Sequence, residues 1–332
     1  KSDYYQSREL TEMVKESIAN DLARRYGTSV AHDNIMITHG SMGAMSTLFL
    51  TLLNPDDEVI IPEPAYPLYN TLTRIAHAKP VFVSCKNPDF DWARHTPHTM
   101  QLNTSKPWVM PLDAIRAATT KRTKIIVFSN PMNPTGLVVD PSTLKELAAW
   151  CNTHGIYLLV DEVYEDYLFS GAYTSIASLL HESPWVIRTS SLSKNFALSG
   201  WRTGHALLPA HLAYRADIVQ HAMLVCPSTL GQWAAVYAHQ HPEITQELVN
   251  ITISNLAMVL RMLEPLKAAG LFNYVAPDGS FFLFAQASHH DTRQLCSELI
   301  ERAGIALGPG ESFGPSGAGF VRICFARNPA VL

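Results

Sequence analysis

Lys124-Ile125-Ile126-Val127-Phe128-Ser129-Asn130-Pro131-Met132-Asn133-Pro134-Thr135-Gly136 is the stretch whose reading decides the fold. Ile125 to Phe128 are apolar without alternation, the pattern of a strand covered on both faces. The run stops at two Asn-Pro pairs and a glycine, which are turn formers. A helical segment at 142–154 and a second all-apolar strand, Ile156–Val160, come next. Strand, turn, helix and strand in that order predict a parallel pair joined by a crossover.

The same alternation extends outward. Upstream, residues 9–26 carry Leu10, Val14, Ile18, Leu22 and Ala23 at helical spacing. Asn34–Thr38 reads as a short strand that runs into the turn His39–Gly43, with helix from Ala44 to Leu53. Glu58–Ile61 is a strand ended by Pro62, 67–78 is helical, and Val81–Val83 is the next strand. Residues 86–111, with prolines at 88, 97, 107 and 111, read as a long loop before a helix at 112–119. Downstream, Val186–Thr189 is a strand, and 212–262 is mostly helix. The character then changes to Phe281–Phe284, a helix at 292–303, a Gly/Pro-rich loop at 308–319 and a strand Phe320–Phe325. The expectation is an α/β fold: a large domain over 30–225 with a mostly parallel sheet covered by helices. Residues 1–29 and 226–332 supply a smaller α+β domain and connecting helices.

At 332 residues, 47% hydrophobic, the chain can bury a large core. A formal net charge of −4 and the lack of a long basic run argue against a nucleic-acid partner. No apolar run approaches the ~18 residues of a membrane span. The start, Lys1-Ser2-Asp3-Tyr4-Tyr5, is polar and unlike a secretory segment. Cysteines 85, 151, 226, 296 and 324 are scattered, as reduced thiols of a cytoplasmic protein would be. His289-His290 precedes a helix and reads as solvated, and His95 and His98 in the long loop have no metal-ligand partners, so no metal is expected. The glycines at 308, 310, 314, 317 and 319 do not follow a strand as a dinucleotide loop would.

Ligands of parallel sheets bind beyond the carboxyl ends of the strands. Gly40, Asn130, Asp161 and Ser190 fall at such ends. The motifs there come in order: Ser129-Asn130-Pro131-Met132-Asn133-Pro134-Thr135-Gly136, then Asp161-Glu162-Val163-Tyr164, then Ser191-Leu192-Ser193-Lys194, then Gly200-Trp201-Arg202. On these motifs the chain resembles the aspartate-aminotransferase-like family (class I/II) of fold-type I pyridoxal-phosphate (PLP) enzymes, over about residues 9–328.

The resemblance implies roles, each with a physical reason. Lys194 matches the lysine that holds PLP as a Schiff base and later moves a proton. Asp161 matches the carboxylate that keeps the pyridine nitrogen protonated, because opposite charges at close range favour both ionised forms. Asn133 and Tyr164 match the pair that hydrogen-bonds the cofactor's phenolic oxygen, and Asn133 also borders the substrate. Ser41 and Met42, through backbone amides, match the phosphate cradle together with Ser191 and Arg202. Tyr66 matches the aromatic that stacks on the ring. Arg322 matches the arginine that grips the substrate carboxylate, since a cation within an apolar strand is costly without a partner. Tyr5 matches the tyrosine that reaches the phosphate of the partner subunit.

The expected activity is ping-pong transfer of an amino group between an L-amino acid and a 2-oxo acid, by a cytoplasmic homodimer with shared active sites. Two alternatives stay open on the same motifs. One is another PLP reaction: β/γ-elimination, replacement, or an oxidative or cyclising step. The other is a PLP-binding regulatory module without catalysis. Nothing in the sequence marks a second arginine for a dicarboxylate substrate.

Overall fold

The computed structural model describes residues 7–92, 106–289 and 291–332. Tyr5, His95, His98 and His290 lie outside them. Seven strands form the main sheet: β1 (Ile35–Thr38), β2 (Glu58–Glu63), β3 (Lys79–Ser84), β4 (Thr123–Ser129), β5 (Tyr157–Asp161), β6 (Val186–Ser191) and β7 (Gly204–Leu207). Their order is β1-β7-β6-β5-β4-β2-β3. β7 runs antiparallel to both neighbours, and the β6-β5-β4-β2-β3 pairs are parallel.

The helices around this sheet are α1 (Arg8–Tyr26), α2 (Gly40–Leu52), α3 (Leu68–Ile75), α4 (Leu112–Ala118), α5 (Pro141–His154), the single turn α6 (Leu192–Asn195), α7 (Ala210–Leu224) and α8 (Thr229–Gln240). The long α9 (Glu243–Ala268) leads to a second sheet, with α10 (Thr292–Ala303) beside it. That sheet is antiparallel, in the order β10 (Gly308–Pro309), β11 (Phe320–Cys324), β9 (Phe282–Ala287), β8 (Phe272–Asn273).

The unbroken apolar strands are explained by two cores. Ile126, Phe128, Leu158 and Val160 face one cluster, while Ile125, Val127 and Leu159 face another. Adjacent residues of one strand therefore bury on opposite sides of the sheet. Leu10, Val14, Ile18 and Leu22 of α1, and Ala235, Val236 and Ala238 of α8, join the first of these clusters. A third cluster unites α9, the small sheet and α10 with Val163, Tyr164 and Tyr167. The segment that leaves β5 thus sits at the junction of the two sheets.

Two boundaries and one buried face differ from the sequence reading. β2 continues through Pro62 to Glu63. Its register with β4 ends at Ile60–Ile126, so the missing N–H of Pro62 interrupts no pairing on that side. Residues 40–43 are already the first turn of α2 rather than a loop before it. Ala23, placed on the apolar stripe of α1, is exposed, because it lies about 100° round the helix from Leu22. The long loop is closed at its base by a bridge between Lys86 and Trp108.

Candidate active site

The carboxyl ends of β4, β5 and β6 open on one side of a cavity of about 280 Å³. That is close to the lower end of the ~300–1,000 Å³ usual for small-molecule sites. Ser41, Met42, Tyr66, Asn133, Asp161, Tyr164, Ser191, Lys194, Arg202 and Arg322 all line it. These residues come from strands of both sheets and from separate turns and helix starts, so the fold alone brings them together.

Asp161 ends β5 and is fully buried. Thr189 Oγ1 donates to its Oδ1 at 3.2 Å, and Tyr69 Oη donates to its Oδ2 at 3.3 Å. Burial dominates over these bonds and pushes the carboxyl up to about 7. No salt bridge reaches Asp161 among the described residues. A buried carboxyl of this kind is favoured in its charged form only when a cation comes close. Tyr69 and Thr189 were not singled out by sequence. Tyr69 lies three residues after Tyr66, with the rings 5.6 Å apart and edge-on. Thr189 is the cross-strand neighbour of Asp161 in the β5–β6 register.

Lys194 follows β6 in α6, with Nζ 5.9 Å from the Phe281 ring centroid. Burial lowers its ammonium from the ordinary value, and Arg202 and Arg322 push the same way. A lysine held this way loses its proton more readily and becomes a nucleophile.

Asn133 is buried between two partners. Its Nδ2 donates to Tyr164 Oη at 3.3 Å, and its Oδ1 accepts from Arg322 Nη1 at 2.9 Å. Arg322 lies between two rings, 4.2 Å from the Phe282 centroid and 4.7 Å from that of Phe313. Such stacking fixes the plane of the guanidinium. Its Nε is buried with no acceptor, and burial lowers the guanidinium below its ordinary range. A planar anion supplied to this group satisfies both needs.

Phe313 is set by a second contact that sequence did not disclose. Glu63, buried at the end of β2, accepts from the backbone N–H of Ser316 at 2.8 Å and from its hydroxyl. Ala65 N–H donates to the carbonyl of Phe313 at 2.8 Å. The loop 310–317 of the small sheet is therefore pinned to the segment that carries Tyr66.

At the other end of the cavity, α2 starts at Gly40 with His39 as N-cap and no side-chain capping bond. Its first amides are open to an anion. Arg202 donates to the carbonyls of Ser199 at 2.8 Å and His39 at 3.4 Å, which aims it across this helix start. Gly40 has φ +68, and a Cβ there would lie 2.7 Å from Arg202 Nη2. Glycine is required at this point on both counts. Ser191 ends β6 on the same rim, its Oγ accepting from Ser193 N–H at 3.3 Å.

The geometry thus gathers an uncapped helix start with Arg202, a buried carboxyl, a lysine whose ammonium is disfavoured by burial and an arginine with an unpartnered Nε around one cavity. The chain matches the family model for aminotransferase class I and II over residues 3–332. This chain belongs to the class I and II aminotransferase family. It is 32% identical to the valine–pyruvate aminotransferase of Mycobacterium tuberculosis over 94% of this chain and 76% of that one. A probable N-acetyl-LL-diaminopimelate aminotransferase of Bacillus subtilis is 31% identical, over 89% and 70%. Among solved structures, the aspartate aminotransferase of Thermus thermophilus with maleate superposes with a TM-score of 0.82 at 28% identity, covering 95% of this chain and 78% of that chain. The fold expected from the strand pattern is the fold of this aminotransferase family.

Proposed function

We propose that the protein binds PLP in this cavity, anchored by Lys194, and transfers an amino group between an L-amino acid and a 2-oxo acid. The observation that carries this reading is the convergence of the Lys194 amine, the cation-seeking Asp161 and the partly unpaired Arg322 on one space.

The protein's groups fit PLP by chemistry. The amides of Ser41 and Met42, with Ser191 and Arg202, suit its phosphate. Asp161 suits its ring nitrogen, Asn133 and Tyr164 its phenolic oxygen, and Tyr66 its flat face. When bound, PLP supplies an aldehyde that condenses with amines and a ring that accepts the electron pair left by the substrate carbon. Arg322 docks the substrate carboxylate, which removes the cost of its unpaired Nε. Lys194, made less basic by burial, would take the proton from the substrate's α-carbon and hand it, from the same face, to the aldehyde carbon of the cofactor. Phe281 and Phe282 border Lys194 and Arg322 and limit water near both groups.

The relatives are named for valine–pyruvate, aspartate and N-acetyl-LL-diaminopimelate. The part of a substrate that Arg322 reads is the carboxylate common to amino acids. We also propose a homodimer with shared sites. Trp201, next to Arg202, is exposed, and so are Tyr214, Leu230, Trp233 and Tyr237 on α7 and α8. Exposed aromatic residues in such number suit an interface core. The five free cysteines suit a reducing compartment such as the cytoplasm. No helix among the described residues is long and apolar enough to cross a membrane.

The test is the visible spectrum of protein purified with PLP, for wild type and Lys194→Ala, followed by a panel of amino acids with assays for keto acid and ammonia. A pH-sensitive band lost in the variant, with keto acid formed in step with amino acid consumed, supports transamination. No band in the wild type overturns the reading, and stoichiometric ammonia replaces it with elimination.

A further inference from the structure

Residues 165–167 continue the segment that delivers Asp161 and Tyr164, yet none of them lines the cavity. Two of them reach the lysine turn, one at the Lys194 backbone and one at the side chain of Asn195. Tyr167 Oη donates to the carbonyl of Lys194 at 2.8 Å. Asp166 Oδ2 accepts from Asn195 Nδ2 at 3.0 Å. From α9, Thr245 Oγ1 donates to the carbonyl of Asn195 at 2.8 Å. Asp166 is itself held by Arg25, whose Nη2 lies 2.7 Å from Oδ1.

The lysine turn needs outside support. α6 has four residues, too few to sustain a helix by itself. Just beyond it, Ala197 has φ +54 and Arg202 has φ +53. A residue with a Cβ loses ~1–2 kcal/mol in that region. Such backbone persists where surrounding contacts over-determine it. The three hydrogen bonds on Lys194 and Asn195 are contacts of this kind.

We propose that Tyr167, Asp166 and Thr245 are positioning residues that set the height and direction of Lys194 for proton transfer. The inference rests on Lys194 being the proton carrier, as argued above. One short segment then has two outputs. Asp161 and Tyr164 face the cavity, while Asp166 and Tyr167 seat the lysine from behind. Proton transfer demands heavy-atom approach within ~2.6–3.2 Å, and a misplacement of ~1 Å can cost ~10²-fold in rate.

The variant of choice is Tyr167→Phe in the PLP-loaded enzyme. It removes one hydroxyl and keeps the ring, which packs edge-on against Phe281 with centroids 5.3 Å apart. The expected result is a kcat lowered at least about tenfold with KM and PLP affinity held within about twofold. The primary isotope effect with an α-deuterated amino acid should rise, because the proton step becomes slower relative to the rest. Thr245→Val carries the same measurement if Tyr167→Phe does not fold. An unchanged kcat, or a fall in kcat matched by weaker PLP binding with no change in isotope effect, overturns the inference. Lys194→Ala separates the two levels. If it keeps transaminating, the reading of the site fails; if it is dead while Tyr167→Phe and Thr245→Val behave as wild type, only the seating role fails.

Discussion

Replacing Asp161 by asparagine should make the cofactor-free protein more stable at pH 8 while it removes activity. The buried carboxyl is pushed up from 3.8 to about 7 because its burial outweighs the hydrogen bonds it accepts from Thr189, Tyr69 and the Val163 amide. At ~1.4 kcal/mol per tenfold, that move corresponds to at most ~4 kcal/mol. A carboxyl whose folded value is raised contributes its full stability below about 3.8, where it is protonated in both states. The contribution is lost as pH climbs to about 7, and above that the charged group is a constant burden. Asparagine keeps the shape and one acceptor and never ionises. With ~2.1 cal/mol/K of unfolding entropy per residue, ~4 kcal/mol on a chain of 332 residues is ~6 °C in Tm. Thermal unfolding of both apo proteins across pH 4–8 provides the assay. The curves should meet near pH 4 and separate in favour of asparagine toward pH 8. Adding PLP should reverse the order at pH 8, since a cationic ring nitrogen turns the burden into an attraction. A gain that persists unchanged at pH 4, or no gain at pH 8, refutes the electrostatic argument.

Three further outcomes follow from the geometry. Arg322→Gln should raise KM for amino and oxo acids by ~10–100-fold, about the ~1.5–3 kcal/mol of a charged hydrogen bond, with the PLP spectrum intact; steady-state kinetics decides it. Gly40→Ala should weaken PLP binding, because the left-handed backbone and the 2.7 Å approach to Arg202 leave no room for a methyl group; reconstitution titrations would detect it, and unchanged affinity would remove Gly40 from the cradle. Arg188 is buried, with Nε 2.5 Å from Glu162 and Nη2 2.6 Å from Glu165. Arg188→Met strands two buried carboxylates, so ~3–5 kcal/mol or ~4–7 °C of Tm should be lost; a change under 1 °C contradicts this, by the same conversion.

Much of the chain was legible from sequence because the signals are short-range. KIIVFS and IYLLV are apolar on every residue because alternate side chains enter two different cores. Ten of the eleven named site residues line one cavity, and Tyr5 lies outside the described residues. Most of their motifs were readable because they fall where a strand of the main sheet or its following turn ends, and parallel strands end on one edge; Arg322, inside the antiparallel β11, was readable as a cation in an apolar strand. The boundaries that slipped, at Pro62 and at Gly40, depend on which neighbour a strand pairs with and on where a helix takes its first bond.

What the tertiary structure alone decided is who stands beside whom. Thr189 reaches Asp161 across 28 positions of sequence, and Ser316 reaches Glu63 across 253. The Phe282–Arg322–Phe313 stack draws on β9, β11 and the turn between β10 and β11. Tyr167 meets the lysine turn across 27 positions. Periodicity and turn chemistry report how a segment folds on itself and which face it buries. They hold no record of strand order, of the reversed β7, or of the docking of one sheet on another. Those arise when separate apolar faces are buried together, and only then does a hydroxyl or a ring acquire the neighbour that gives it a role.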